Sequence, residues 1–412
     1  MNELIVARAF AGIGGGGQTT LVAIILSDVI SLRERGTWQG YNNIVFAAGL
    51  GIGAPLGGFF TDHFGWRWSF LVQVPLTAIG FVNVFIALKL PATETTNWKQ
   101  KLKRVDFGGA VVLILAVSTL LIGLDRGPDV SWVSPITLGC LCSSLPLFVL
   151  FLFVEMKVAT EPFAPSHVLF DRNMLACSLC NFCAFGAWLA ITYYLPLYWQ
   201  AVEGLSATQA ALRLLPGIVA NVSGSLFAGL VIQKTGRYYW LTVICFITFT
   251  LGVIPIILFT GWLSTSLLGI WLGTVICGFS NGIGGTTTLV GLISYAGRDD
   301  QAVGIACLYL FRSLGSVIGI SLSAATIQQV LRRRLHQALE NSIDVDIIVD
   351  RVRKSLEYIR TLDPVLQGLV RRCYEAATRW SFVFDLLLVA GAIVASLGIQ
   401  EKRILAKHID IS

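Results

Sequence analysis

The chain has 412 residues, of which 55% are hydrophobic and 13% charged. A soluble domain carries about 25% charged residues, so a water-soluble globular protein is excluded. The net charge of +6 is not a nucleic-acid footprint, because most basic residues lie between apolar segments.

Those segments run near 20 residues, the length that crosses about 30 Å of hydrocarbon as a helix. Eleven spans are predicted in chain order: 4–30, 39–60, 69–90, 107–124, 133–154, 174–197, 210–232, 240–261, 266–294, 303–327 and 381–399. The first is too long for a signal-peptide core and lacks a basic leader, so it reads as a span. Most connections are short, as between antiparallel neighbours. The exception, 328–380, interleaves Arg332, Arg333, Arg334, Asp350 and Arg351 with Val330, Leu331, Leu335, Ile347 and Val352. That pattern fits amphipathic helices on a membrane face or capping the bundle, and equally a solvated connector. Lys and Arg concentrate in loops 31–38, 91–106, 155–173, 233–239 and 295–302 and in the tail 400–412. These share one side if the spans alternate, which predicts that side to be cytosolic and puts 328–380 opposite.

Of nine cysteines, eight lie in or beside spans, which is no disulfide framework. Cys177, Cys180 and Cys183 have an iron–sulfur-like spacing, but inside an apolar helix with no fourth ligand nearby they read as packing. His63, His167, His336 and His408 are scattered, and neither a Walker loop nor a Rossmann fingerprint is visible. The expectation is no enzyme, no cofactor, no metal and no ATP-driven pump.

One phrase occurs twice. Residues 12–22 read GIGGGGQTTLV and residues 282–290 read GIGGTTTLV. Each is followed by a polar turn (SLRERG, AGRDDQ) and a small-residue-rich span (GLGIGAPLGGFF, FRSLGSVIGISLSAA). Such self-similarity in a membrane protein predicts two related halves. Three spans, 174–197, 210–232 and 240–261, precede the second copy and none precedes the first. The expectation is a fourteen-helix plan without its three N-terminal helices, and a cavity open on that side. Gly12 and Gly14 begin a nearly bare helix face, and Gly49, Gly53, Gly57 and Gly58 recur around a kink site at Pro55. Small residues let helices approach closely in lipid, either as a sliding contact or as static packing.

Charges inside spans are costly and therefore informative. Arg8 sits about a turn into its span, as a functional residue or one snorkelling to the interface. Arg312 lies near the middle of 303–327, as a buried partner, a substrate contact or packing. Asn42, Asn43, Tyr193 and Tyr194 are candidates to line a polar cavity or to bond between helices. The acids Asp28, Asp62, Asp106, Asp125 and Glu155 fall near span ends, where a solvated face is expected, and Asp385 about a turn into the last span, an interfacial position.

LIVARAFAGIGGGG (4–17) resembles the arginine-containing fourth-helix motif of major facilitator superfamily antiporters, with Arg8 and Gly12 at the motif positions. GLGIGAPLGG (49–58) resembles the antiporter motif of the next helix, although APLGG stands where the motif has GPxxGG. FGWRWSFLVQVP (64–75), VDFGGAVVLILAVSTLLIGLDRG (105–127), YYLPLYWQAVEGLSATQAALRLLPG (193–217) and LYLFRSLGSVIG (308–319) extend the likeness to the fourteen-helix drug:proton antiporter branch. Within it the chain is similar to fungal vacuolar basic amino-acid transporters. The resemblance implies an all-α polytopic major facilitator fold. It would comprise the rest of an N-terminal half at 1–90, two linker helices at 91–173, a six-helix C-terminal half at 174–399 and a cytosolic tail at 400–412. It implies that Arg8 takes part in proton coupling and that the solute is a basic amino acid moved into the vacuole. The alternatives are drug or toxin efflux at the plasma membrane and an inactive fragment. The partners implied are the solute, protons and the bilayer, with no nucleic acid.

Overall fold

The apolar stretches fold as helices, and a computed structural model describes residues 2–30, 34–87, 106–157, 171–296, 300–339, 351–352, 358–359 and 362–402. The helices are α1 (Asn2–Val29), α2 (Arg35–Phe64), α3 (Trp66–Leu71), α4 (Gln73–Ala87), α5 (Phe107–Asp129), α6 (Pro135–Lys157) and α7 (Arg172–Ala201). They continue with α8 (Ala207–Leu212), α9 (Leu215–Thr235), α10 (Tyr239–Phe259), α11 (Leu267–Tyr295), α12 (Gln301–Ala338) and α13 (Pro364–Ser396). Ten stretches among the described residues are long and apolar enough to cross a membrane, α3–α4 and α8–α9 counting as one each. To these α2 adds an eleventh long helix, uncharged from 36 to 61. The expected loops at 91–105 and 158–170, and the tail beyond 402, lie outside the described residues.

Helix ends follow local chemistry. Asp106 caps α5 by accepting from the Gly109 N–H at 2.9 Å. Asp171 caps α7 by accepting from Asn173 and Met174 at 3.0 and 3.1 Å. Ser206 and Gln209 form a reciprocal capping box on α8. Each satisfies N–H groups that a first turn leaves open. Gly236, at φ 66°, takes the left-handed turn that ends α9.

The polar segment 328–380 is largely helix at its two ends, because α12 runs to Ala338 and α13 starts at Pro364. Leu331, Leu335 and Leu339, one turn apart, are buried although arginines separate the first two. An amphipathic stripe therefore continues α12 beyond the span expected at 303–327. The 38 residues of α12 make about 57 Å at 1.5 Å per residue. Val352 and Ile359 are also buried, and the Tyr374 hydroxyl donates to the Val352 carbonyl at 2.9 Å.

The core lies in α7–α13, with α7 packed against α11, α12 and α13. α5 and α6 form a pair that reaches this bundle through α12, where Trp132 donates to Gln329 at 3.2 Å. α4 buries no residue. Glycines set two close crossings. Between α9 and α11, a Cβ on Gly224, Gly278 or Gly282 would collide with the carbonyl oxygen of Phe279, Gly217 or Asn221. Between α7 and α12, a Cβ on Gly315 or Gly319 would collide with the backbone of Phe182 or Gly186. Free cysteines fill the remaining space: Cys177 and Cys180 are fully buried, and Cys180 donates to the Ala392 carbonyl at 3.5 Å.

The chain just after α13 is held by Tyr238 and by Asn173, whose Oδ1 accepts from the Gln400 N–H at 2.6 Å. Tyr238 is 1% exposed. Its hydroxyl meets Ser294 at 3.0 Å, donates to the Gln400 carbonyl at 3.1 Å and accepts from the Lys402 N–H at 3.2 Å. Tyr238→Phe is expected to cost about 1–2 kcal/mol and to open the chain after Ser396 to proteolysis. Thermal unfolding in detergent with limited trypsin digestion checks this; an unchanged melting point and digest would contradict it.

Candidate functional site

Below the α9–α11 crossing lies a cavity of about 140 Å³. Its walls are α2 on one side and α7, α9, α11 and α12 on the other. On the α2 side Phe46 is exposed, Asn43 half-buried and Gln39 buried.

The lining is apolar with a few polar groups. α2 supplies Gln39 and Asn43, and the Asn43 amide donates to Ser225 of α9 at 2.7 Å. Ser225 in turn bonds Thr286 of α11 at 2.7 Å, so three helices share one polar chain. α7 supplies Asn181, whose amide donates to the Cys177 carbonyl at 3.1 Å and to Thr288 at 2.7 Å. α9 supplies Asn221 and α11 supplies Asn281. Asn281 is 1% exposed, and among the described residues neither its Oδ1 nor its Nδ2 has a hydrogen-bond partner.

Arg312 of α12 is the cation of the cavity. Its guanidinium carbon lies 3.6 Å from the Phe185 ring centroid and 5.5 Å from that of Tyr309. Aromatic faces hold a cation in this way without neutralising it. No Asp or Glu lines the cavity among the described residues.

Of the residues expected from sequence, the cavity gathers Asn43 and Arg312 and not Asn42, Tyr193 or Tyr194. Neighbours on a helix point about 100° apart, so one of an adjacent pair faces inward and the other does not. Tyr193 is exposed, whereas Tyr194 is buried and donates to the Ile320 carbonyl at 3.1 Å. Arg8 is exposed on α1 with its guanidinium 5.9 Å from the Phe70 ring. A Cβ on Gly12, Gly14, Gly49, Gly53 or Gly57 would meet nothing within 4 Å among the described residues. Pro55 and Gly58 lie within α2, and their surroundings are outside the described residues. Asp385 is not interfacial. Because α13 begins at Pro364, the residue is deep in its helix, fully buried, with Oδ1 3.1 Å from the Ser323 hydroxyl of α12. Asn281 and Asn181 were missed in the sequence. The available signal was an amide inside an apolar span.

The family model for the Major Facilitator Superfamily matches residues 1–320. The chain belongs to the Major Facilitator Superfamily. This superfamily member is 36% identical over 401 residues to "Multidrug resistance protein fnx1" of Schizosaccharomyces pombe, covering 97% of this chain and 76% of that one. It is 35% identical over 406 residues to "Vacuolar membrane amino acid uptake transporter fnx2" of the same yeast, covering 98% and 69%. It is 30% identical over 407 residues to "Vacuolar basic amino acid transporter 2" of Saccharomyces cerevisiae, covering 94% and 84%. As a major facilitator it is an integral membrane transporter of small molecules and not an enzyme.

Proposed function

We propose that this transporter moves basic amino acids into the vacuole in exchange for protons, by alternating access to the cavity between α2 and the α7–α13 bundle. The supporting observation is the cavity itself. It is polar at a few points and, at about 140 Å³, smaller than the roughly 300–1,000 Å³ of drug-sized sites. Two of the relatives above are named for vacuolar amino-acid transport, which agrees with a solute of that size. Proton coupling is assigned to Arg8, following the motif it resembles.

The experiment is uptake of labelled lysine and arginine into ATP-energised vacuolar vesicles, with and without the expressed full chain. Uptake above the null vesicles that collapses with a protonophore is expected, and Arg8→Gln is expected to remove the proton-driven part. Equal uptake in expressing and null vesicles sinks the substrate assignment. A tagged chain found at the plasma membrane, with drug export, would replace it by the efflux reading that the name of fnx1 suggests.

A further inference from the structure

We propose that Arg312 and Asn281 form the subsite for the α-amino-carboxylate head of the transported solute; this rests on the amino-acid reading above. Two observations carry it separately. The first is an uncompensated cation. Arg312 lines the cavity, stacks on Phe185, and forms no ion pair among the described residues. A guanidinium inside a membrane bundle without a counter-ion is unfavourable, and an anionic ligand relieves this. The second is an orphan amide. Asn281 lines the same cavity at 1% exposure with both polar atoms unpartnered. Buried amides normally have partners, so an unpartnered one in a cavity wall offers a donor and an acceptor to a ligand.

The two groups suit one chemistry. The guanidinium N–H groups and the Asn281 N–H donate to a carboxylate, and the Asn281 carbonyl accepts from an α-ammonium. A cationic drug without a carboxylate offers the guanidinium only repulsion, and among the described residues no acidic side chain lines the cavity to offset it. The head group, common to all α-amino acids, is thus the recognised element.

Competition for labelled lysine uptake into vesicles containing the full chain tests this. The competitors are lysine, lysinamide, in which the carboxylate is neutralised, and cadaverine, in which it is absent. Lysinamide and cadaverine are expected to compete about tenfold more weakly than lysine, the factor a charge-assisted hydrogen bond supplies. Arg312→Gln is expected to raise the half-saturating lysine concentration about tenfold and to erase the preference, with Arg312→Lys restoring part of it. Equal competition by cadaverine and lysine in the unaltered protein overturns the proposal, as does an Arg312→Gln protein that keeps the preference. If that variant fails to reach the membrane, Asn281→Leu takes its place, and the unaltered protein still decides. If the unaltered protein takes up no lysine, the transport reading fails on its own. The subsite is then tested by thermal shift of the purified chain with carboxylic acids against their amides. Stabilisation by the acids alone, lost in Arg312→Gln, supports it; equal stabilisation overturns it.

Discussion

Gly282→Ala is expected to remove most of the folded protein, whereas Gly14→Ala, the matching change in the other copy of the repeated phrase, is expected to leave it intact. A Cβ on Gly282 would collide with the Asn221 carbonyl oxygen and stand 2.8 Å from the Ser225 nitrogen. Both are backbone atoms of α9 and have no rotamer through which to yield, so the helices would have to separate. Overpacking of a well-filled contact costs about 1–3 kcal/mol and sometimes more; with Gly278 and Gly224 on the same crossing, about 3 kcal/mol or more is expected. At Gly14 nothing lies within 4 Å among the described residues. There alanine should shift stability by less than about 0.5 kcal/mol, if anything upward, as the better helix former. Thermal unfolding of both variants in one detergent, with size-exclusion profiles, checks the contrast. Similar losses at the two positions would mean that the α9–α11 crossing is not set by its glycines.

The second large effect concerns Asp385 and Ser323, both fully buried between α13 and α12. The Ser323 hydroxyl is 3.1 Å from Oδ1, and Oδ2 has no partner among the described residues. Ser323→Ala removes that donor and is expected to cost about 2 kcal/mol, because a buried acceptor left unmet bears its full desolvation cost. Ser323→Ala combined with Asp385→Leu is expected to recover most of that loss. Replacing both members of a buried polar pair by apolar groups is often neutral or stabilising. A double-mutant cycle on melting temperature reads the coupling directly. If the double variant is no more stable than Ser323→Ala alone, the pair contributes net stability as well as a polar contact.

Membrane thickness made most of the fold legible. It imposes a length and an apolar character that hydropathy registers. The ends of α12 and α13 were half legible. Leu331, Leu335 and Leu339 continue a buried stripe while Arg332, Arg333 and Arg334 lower the local hydropathy, so an amphipathic helix and a solvated connector read alike there. The cavity was half legible. Arg312 and Asn43 stood out because polar groups in apolar spans are costly. Facing direction does not follow from residue type, so Tyr193, Tyr194 and Asn42 were indistinguishable from true lining residues. Asp385 looked interfacial only because its helix starts some 17 residues earlier, at Pro364, than the span predicted at 381.

The glycine crossings also constrain how the molecule can change shape. Side-chain seams can shear by hopping rotamers, but a seam of main chain against main chain has nothing to hop. α9 and α11 are therefore expected to move together, and so are α7 and α12. The contact of α2 with α9 mixes both kinds: hydrogen bonds from Asn43 to Ser225 at 2.7 Å and from Thr37 to Gln233 at 3.3 Å, and Gly40 against both the side chain and the Cα of Leu226. Under the alternating access proposed above, spin labels across α2 and α9, joined mainly through side chains, should separate while labels across α9 and α11 hold their distance.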